Sequence, residues 1–239
     1  MKITINNKNL LPLANPTHLK GSSGTIYQVD DKTYFKLLNK DYRSLKSSEN
    51  KELLKTLEAL STISSGYIAA PIDIYCSSTN LYGHTMPIMP GNPFETLPPT
   101  TEISSLEAAF LKLTTETPKL ASIGYKAEDI GGDNILYYQN AFYLIDLELG
   151  LIDETCPKEY LTSRINYSIF INLLNSIYGK EILKRVEETP LAFKNHLLKQ
   201  GVSTDYASFF SDISAFLSRE TNSEIKTIED SRKAQAKLK

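Results

Sequence analysis

The sequence predicts a mixed α+β protein, strand-rich at the start and mainly helical afterwards. Two observations carry this. Up to residue 89, short β-branched and aromatic runs are separated by turn residues, with a single amphipathic helix among them. A Pro/Gly-rich crossing follows, Met89-Pro-Gly-Asn-Pro93 and Leu97-Pro-Pro99, and beyond it the apolar spacing becomes helical. The crossing is the best place to divide the chain, into residues 1–89 and 90–239.

Each element has its own signal. Residues 17–20, 25–29 and 33–38 read as strands of an antiparallel meander, broken by Gly21-Ser22-Ser23-Gly24 and by Asp30-Asp31-Lys32. The main helix is expected over 49–63, where Leu53, Leu54, Leu57, Leu60 and Ile63 recur at helical spacing before Ser64-Ser65-Gly66 stops it. Strands are expected near 68–76 and 81–86. Ser104 and Glu107 suggest a capping box ahead of a helix over 106–113. Two short strands flank a loop within 125–150. Helices are expected over 164–178, 180–188, 190–200 and 204–220, and residues 224–239 read as a charged helix or a frayed tail.

The bulk numbers exclude several functions. With 26 basic and 28 acidic side chains the net charge is −2, so no global field favours nucleic acid or an anionic membrane as a partner. No stretch approaches the roughly 18 apolar residues of a membrane helix. The beginning, Met-Lys-Ile-Thr-Ile-Asn-Asn-Lys, is too polar for a secretion signal. Cys76 and Cys156 stand far apart without a CxxC pattern, which suits reduced thiols in a cytoplasmic protein. His18, His84 and His196 are isolated, against a histidine-based metal site.

Four features point to one chemistry. Phosphoryl transfer needs positioning and charge neutralisation more than covalent catalysis. A glycine turn between strands, Gly21-Ser22-Ser23-Gly24, would let backbone N–H groups approach phosphate oxygens. Alone it is an ordinary hairpin turn. Lys36, in Tyr-Phe-Lys-Leu-Leu, carries a charge on an apolar strand and must find a partner or a ligand. In Asp129-Ile-Gly-Gly-Asp-Asn134, Asp129 is a candidate base for an acceptor hydroxyl and Asn134 a candidate oxygen ligand for Mg²⁺. Asp146 ends the apolar run Phe142-Tyr-Leu-Ile, where a carboxylate needs a cation; no arginine is near in sequence, so a metal is the expected one. A surface turn and a water-facing aspartate would explain each feature singly. Their order along the chain makes the set specific.

At these residues the chain resembles the protein-kinase-like superfamily. Thr-Tyr-Phe-Lys36 is similar to its lysine strand, Asp129 to Asn134 to its catalytic loop, and Ile145-Asp146-Leu-Glu148 to its metal-binding segment. The resemblance spans roughly residues 17–180. It implies a bilobal fold, with an antiparallel N-lobe sheet, one main helix and a mostly helical C-lobe. It also implies ATP and Mg²⁺ as cofactors, and transfer of the γ-phosphate to a hydroxyl on a small molecule or a specific protein. Met86 would back the adenine pocket, Pro87 to Met89 would form the hinge, and a helix glutamate, Glu49 or Glu52 (Glu58 less well), would pair with Lys36.

Departures from the family pattern narrow the expectation. Ala127-Glu128 replace the usual His-Arg, Gly131 stands where protein kinases carry a lysine, and Leu147-Glu148 replace Phe-Gly. The stretch after Gly150 lacks an Ala-Pro-Glu motif. The pattern is closer to small-molecule phosphotransferases of the antibiotic and choline type. An alternative keeps the fold without turnover, as a nucleotide-sensing or scaffold module. A third reading, a chance motif on a structural domain, requires Lys36, Asp129 and Asp146 to lie far apart.

Overall fold

The computed structural model describes residues 1–5, 11, 15–20, 23–127, 130–179 and 206–238. They form a mixed α+β protein. A six-stranded sheet gathers β1 (Lys2–Thr4), β2 (Asn15–Lys20), β3 (Gly24–Gln28), β4 (Thr33–Leu38), β5 (Ile74–Cys76) and β6 (Leu81–Pro87) in the order β1-β5-β6-β4-β3-β2. All its pairings are antiparallel except β1 with β5. That parallel edge corrects the purely antiparallel expectation. β1 is too short and polar to stand out in the sequence.

Both faces of this sheet are covered. Phe35 points to a cluster with Ile5, Leu11 and Tyr82. Leu38, two residues further along β4 than Lys36 and so on its side of the sheet, packs with Ile74, Cys76, Leu81 and the helix residues Leu53 and Leu57. That helix, α1 (Ser48–Leu60), buries Leu53, Thr56, Leu57 and Leu60 in one stripe. It begins where expected because Ser47 accepts from the Asn50 N–H as its cap. It ends three residues sooner than the apolar pattern suggests.

Residues 68–73 are not strand. Ile68 instead makes an isolated parallel bridge to Leu144, and the Ala69 N–H donates to the Leu144 carbonyl at 2.8 Å. The crossing is also stitched down. In β7 (Asn92–Pro93), Asn92 pairs with Tyr137 and Pro93 with Leu136 of β9 (Ile135–Tyr138), which continues through the Gln139-Asn140 turn into β10 (Ala141–Leu144), while β8 (Tyr125–Lys126) pairs antiparallel with β11 (Leu151–Ile152). Both turn residues have positive φ, 46° and 57°, as a two-residue hairpin requires.

The largest core lies among the helices. α2 (Ile103–Thr114), α3 (Thr117–Ser122), α4 (Lys158–Tyr178), α5 (Tyr206–Thr221) and α6 (Ile228–Leu238) enclose Phe110, Phe170, Phe209 and Phe210, and the same core takes in Leu60 and Ile68 from upstream of the crossing. α2 starts at Ile103 without a side-chain cap, so Ser104 and Glu107 lie inside it and form no capping box. The box is at α6. There the Thr227 N–H donates to Asp230 at 2.9 Å and the Asp230 N–H to the Thr227 hydroxyl at 3.1 Å. The charged end is thus a docked helix, with Ile228, Ser231 and Ala234 buried. The helices expected over 180–188 and 190–200 lie outside the described residues. So does the start of the one expected over 204–220, of which α5 is the described part.

Candidate active site

A cavity of about 490 Å³ lies between the six-stranded sheet and the three-stranded sheet of β7, β9 and β10. Ile26 of β3, Tyr34 of β4, Met86 and Pro87 of β6, Met89, Gly91, Asn92 and Pro93 of the crossing, and Leu136 of β9 line it, with Ala69, Asp133, Asn134, Ile145 and Asp146. Five residues singled out from the sequence therefore face one space: Met86, Pro87, Met89, Asn134 and Asp146.

Asn134 and Asp146 are tied to each other through the backbone. The short 3₁₀ turn Gly132–Asn134 precedes β9, and the Asn134 carbonyl accepts from the Ile145 N–H at 3.0 Å. One residue on, Asp146 adopts left-handed dihedrals, φ 55° and ψ 44°. Left-handed dihedrals are uncommon outside glycine, aspartate being among the residues that tolerate them, and such residues recur in turns and at functional sites. The turn after it, Leu147–Leu149, is clamped from two sides. The Tyr125 hydroxyl donates to the Leu147 carbonyl at 3.0 Å, and the Thr56 hydroxyl of α1 donates to the Gly150 carbonyl at 3.0 Å.

Lys36 is completely buried, and its ammonium meets two carboxylates: Asp146 at 3.1 Å and, by a shorter contact, Glu148. Burial opposes the ammonium charge, but Glu148 and then Asp146 outweigh it and hold the Lys36 pKa above its ordinary value. Burial likewise opposes the Glu148 carboxylate, and Lys36 outweighs it, so the Glu148 pKa lies below the usual range. Asp146 goes the other way. Burial, and then the Glu148 charge, raise its pKa against the pull of Lys36.

Two side chains complete the buried polar group. The Ser23 hydroxyl donates to Glu148 at 3.2 Å. His84 sits opposite Lys36 in the β4–β6 register, with its Nδ1 buried and without a hydrogen-bond partner.

The partner of Lys36 corrects the sequence reading. It is not a helix glutamate. Glu52 is exposed and lines a separate surface hollow with Lys55 and Lys126. Glu49 accepts from the Ser47 hydroxyl at the α1 cap, and Glu58 pairs with Lys2 at 2.7 Å. Asp146 meets a lysine where a metal was expected as its cation. Gly21, Ser22 and Asp129 lie outside the described residues. Gly24 is not a loop residue but opens β3, paired with Leu38.

Glu148, His84, Thr56 and Tyr125 were missed. For Glu148 a signal existed: a lone charge between Leu147 and Leu149 needs a partner once the segment is buried. The others depend on strand register and helix docking, which local sequence does not specify.

Among the described residues, no three His, Cys, Asp or Glu side chains form a metal cage. Among the oxygen-bearing side chains that line the cavity, Asp133, Asn134 and Asp146 stand near one another in the chain. That set suits a magnesium ion bound through one or two protein oxygens with phosphate and water as its other ligands. No family model matches this chain, and neither does any curated protein.

Proposed function

We propose that this protein is a Mg-ATP-dependent phosphotransferase with a compact, atypical version of the bilobal protein-kinase-like fold. On this reading residues 1–89 are the nucleotide-binding lobe and 90–239 the lobe carrying the catalytic and metal loops. The observation that carries the proposal is convergence. Lys36 from the first sheet and Asp146 from the end of β10 meet at 3.1 Å, and Asp146 shares a cavity with Asn134, Met86, Pro87 and Met89. A chance motif gives no reason for that meeting.

Each part has a physical role. Ile26, Ala69, Met86, Leu136 and Ile145 offer an apolar slot for a planar base, beside a crossing whose backbone supplies polar groups. Lys36 lies behind Asp146 and does not itself line the cavity; it would supply a fixed positive charge to phosphate oxygens that reach past Asp146. Asn134 and Asp146 would hold the metal ion, which when bound neutralises charge developing on the phosphates. Asp129 would accept the proton of the acceptor hydroxyl. The acceptor is a small molecule or a specific protein that does not use the usual peptide-docking surface.

The test is a pair of measurements on the wild type and on Asp129→Ala. Calorimetric titration with ATP, with and without Mg²⁺, reads binding; release of ADP and transfer of labelled γ-phosphate read turnover. Both proteins should bind Mg-ATP, with about 2.7 kcal/mol of stabilisation at a hundredfold excess over the dissociation constant, and only the wild type should turn it over. Equal turnover removes Asp129 as the base. Binding without turnover in both identifies a nucleotide-sensing module instead. No binding at all ends the proposal.

A further inference from the structure

We propose that Glu148 is the positioning residue for Lys36, the role expected of α1, so that one buried carboxylate ties Ser23, the lysine and the metal segment together. This rests on the phosphotransfer reading of the same cavity.

The geometry divides the labour between two carboxylates. The Glu148 side chain is 3% exposed, contacts Lys36, and accepts from the Ser23 hydroxyl just ahead of β3. The Asp146 side chain is 30% exposed and faces the cavity while touching the same ammonium. Glu148 is thus the partner Lys36 keeps, and Asp146 the one it shares. A divalent ion held by Asp146 would compete with Lys36 for that carboxylate, and Glu148 would allow Lys36 to give it up. Without the Glu148 charge, Asp146 would be the one carboxylate left against Lys36 among the described residues, and Lys36 would hold it against the metal.

The α1 helix contributes differently. All three of its glutamates are placed elsewhere, and its contact with the metal segment is the Thr56 hydroxyl on the Gly150 carbonyl. Placing Lys36 therefore does not depend on an α1 carboxylate swinging inward.

The experiment measures how much Mg²⁺ is needed to half-saturate ATP binding, by calorimetry, together with ADP release. The proteins are wild type, Glu148→Gln, Glu148→Asp and Glu52→Gln. Glu148→Gln should raise the Mg²⁺ midpoint by roughly tenfold, the size of one charge-assisted hydrogen bond redirected to Asp146. It should also lower turnover more than nucleotide affinity. Glu148→Asp keeps the charge and should recover part of the loss, while Glu52→Gln should overlay the wild type.

A Glu148→Gln curve identical to wild type overturns the proposal, as does a loss confined to Glu52→Gln. Complete loss of the Mg²⁺ effect in both Glu148 variants, with ATP affinity otherwise kept, makes Glu148 a metal ligand and also overturns it. A wild type that shows no Mg²⁺-dependent binding sinks the phosphotransfer reading itself, and this one with it. If Glu148→Gln does not fold, Ser23→Ala carries the test. It removes one hydrogen bond to Glu148 and should move the midpoint the same way by about twofold to threefold; no movement overturns the proposal.

Discussion

His84 and Lys36 sit opposite each other on neighbouring strands of the six-stranded sheet, both sealed from water. Burial lowers the His84 pKa; Glu148 pulls it back and Lys36 pushes it further down, leaving it at about 4 instead of 6.5. The folded protein therefore keeps this imidazole neutral where the unfolded chain protonates it. Across that window the unfolded state binds more protons, so stability falls as pH falls. The loss should begin near pH 6.5 and approach about 3 kcal/mol by pH 4. His84→Leu removes the titrating ring and its unpaired Nδ1. Urea unfolding of both proteins from pH 7 to pH 4.5 should show the acid slope in wild type and a flatter one in the variant. Parallel slopes would mean the neutral buried His84 is not its source.

Asp146→Asn should separate function from stability. Burial and the Glu148 charge already make the Asp146 carboxylate costly, as its raised pKa states. Asparagine keeps the shape and tolerates the left-handed backbone at φ 55°. The variant should unfold within about 1 kcal/mol of wild type, yet lose the Mg²⁺ dependence of nucleotide binding. A large drop in its unfolding midpoint would mean that the charge serves chiefly as the structural partner of Lys36.

Much of this arrangement is legible in the sequence, and the limits are physical. Lys36 and Asp146 stand out because a charge in an apolar strand must be answered, and that rule picks them out correctly. It does not say by what. The answering group for Lys36 comes from a distant loop, and local pattern holds no register between β4 and the turn that carries Glu148. A helix glutamate is the natural expectation, but α1 turns Thr56 and not Glu52 toward the turn that carries Glu148. Strands β3, β4 and β6 are legible because short runs rich in apolar and aromatic residues lie between turn residues. β1 is not, because its pairing with β5 across the sheet edge, and not its own composition, makes it a strand. The choice between a charged helix and a frayed tail at α6 stays open in the sequence for a different reason. Its charged composition hides a narrow face of Ile228, Ser231 and Ala234.

Gly83 is the position where Lys36 depends on a missing side chain. A Cβ there would stand 2.0 Å from the Lys36 carbonyl oxygen, a backbone atom that cannot turn aside. Gly83→Ala should force β4 and β6 apart, cost about 3 kcal/mol, and weaken nucleotide binding by displacing Lys36. Gly66→Ala is the control: nothing lies within 4 Å of its Cβ, so it should be neutral or stabilise by about 0.5 kcal/mol through the unfolded chain. Denaturant midpoints and ATP titrations of the two variants check this. Equal behaviour would mean that the sheet yields at Gly83 without harm to Lys36.

Phe170 of α4 tests whether the helical core can be weakened without touching the cavity. Its ring lies 5.7 Å from Phe110, 5.2 Å from Tyr206, 5.3 Å from Phe209 and 5.6 Å from Phe210, so one side chain joins α2, α4 and α5. It is fully buried and lines none of the site. Phe170→Ala leaves a ring-sized void among four aromatic neighbours, three of them edge-on to its ring, and should cost about 3–5 kcal/mol. A cooperative denaturant transition shifted by that amount, with ATP affinity kept at temperatures where the variant is folded, is the expected result. Loss of nucleotide affinity in a still-folded Phe170→Ala would show instead that the helical core sets the geometry of Asn134 and Asp146. The hydrogen bond from Asn172, two residues further along α4, to the Ile130 carbonyl at 2.7 Å would then be the first place to look for the connection.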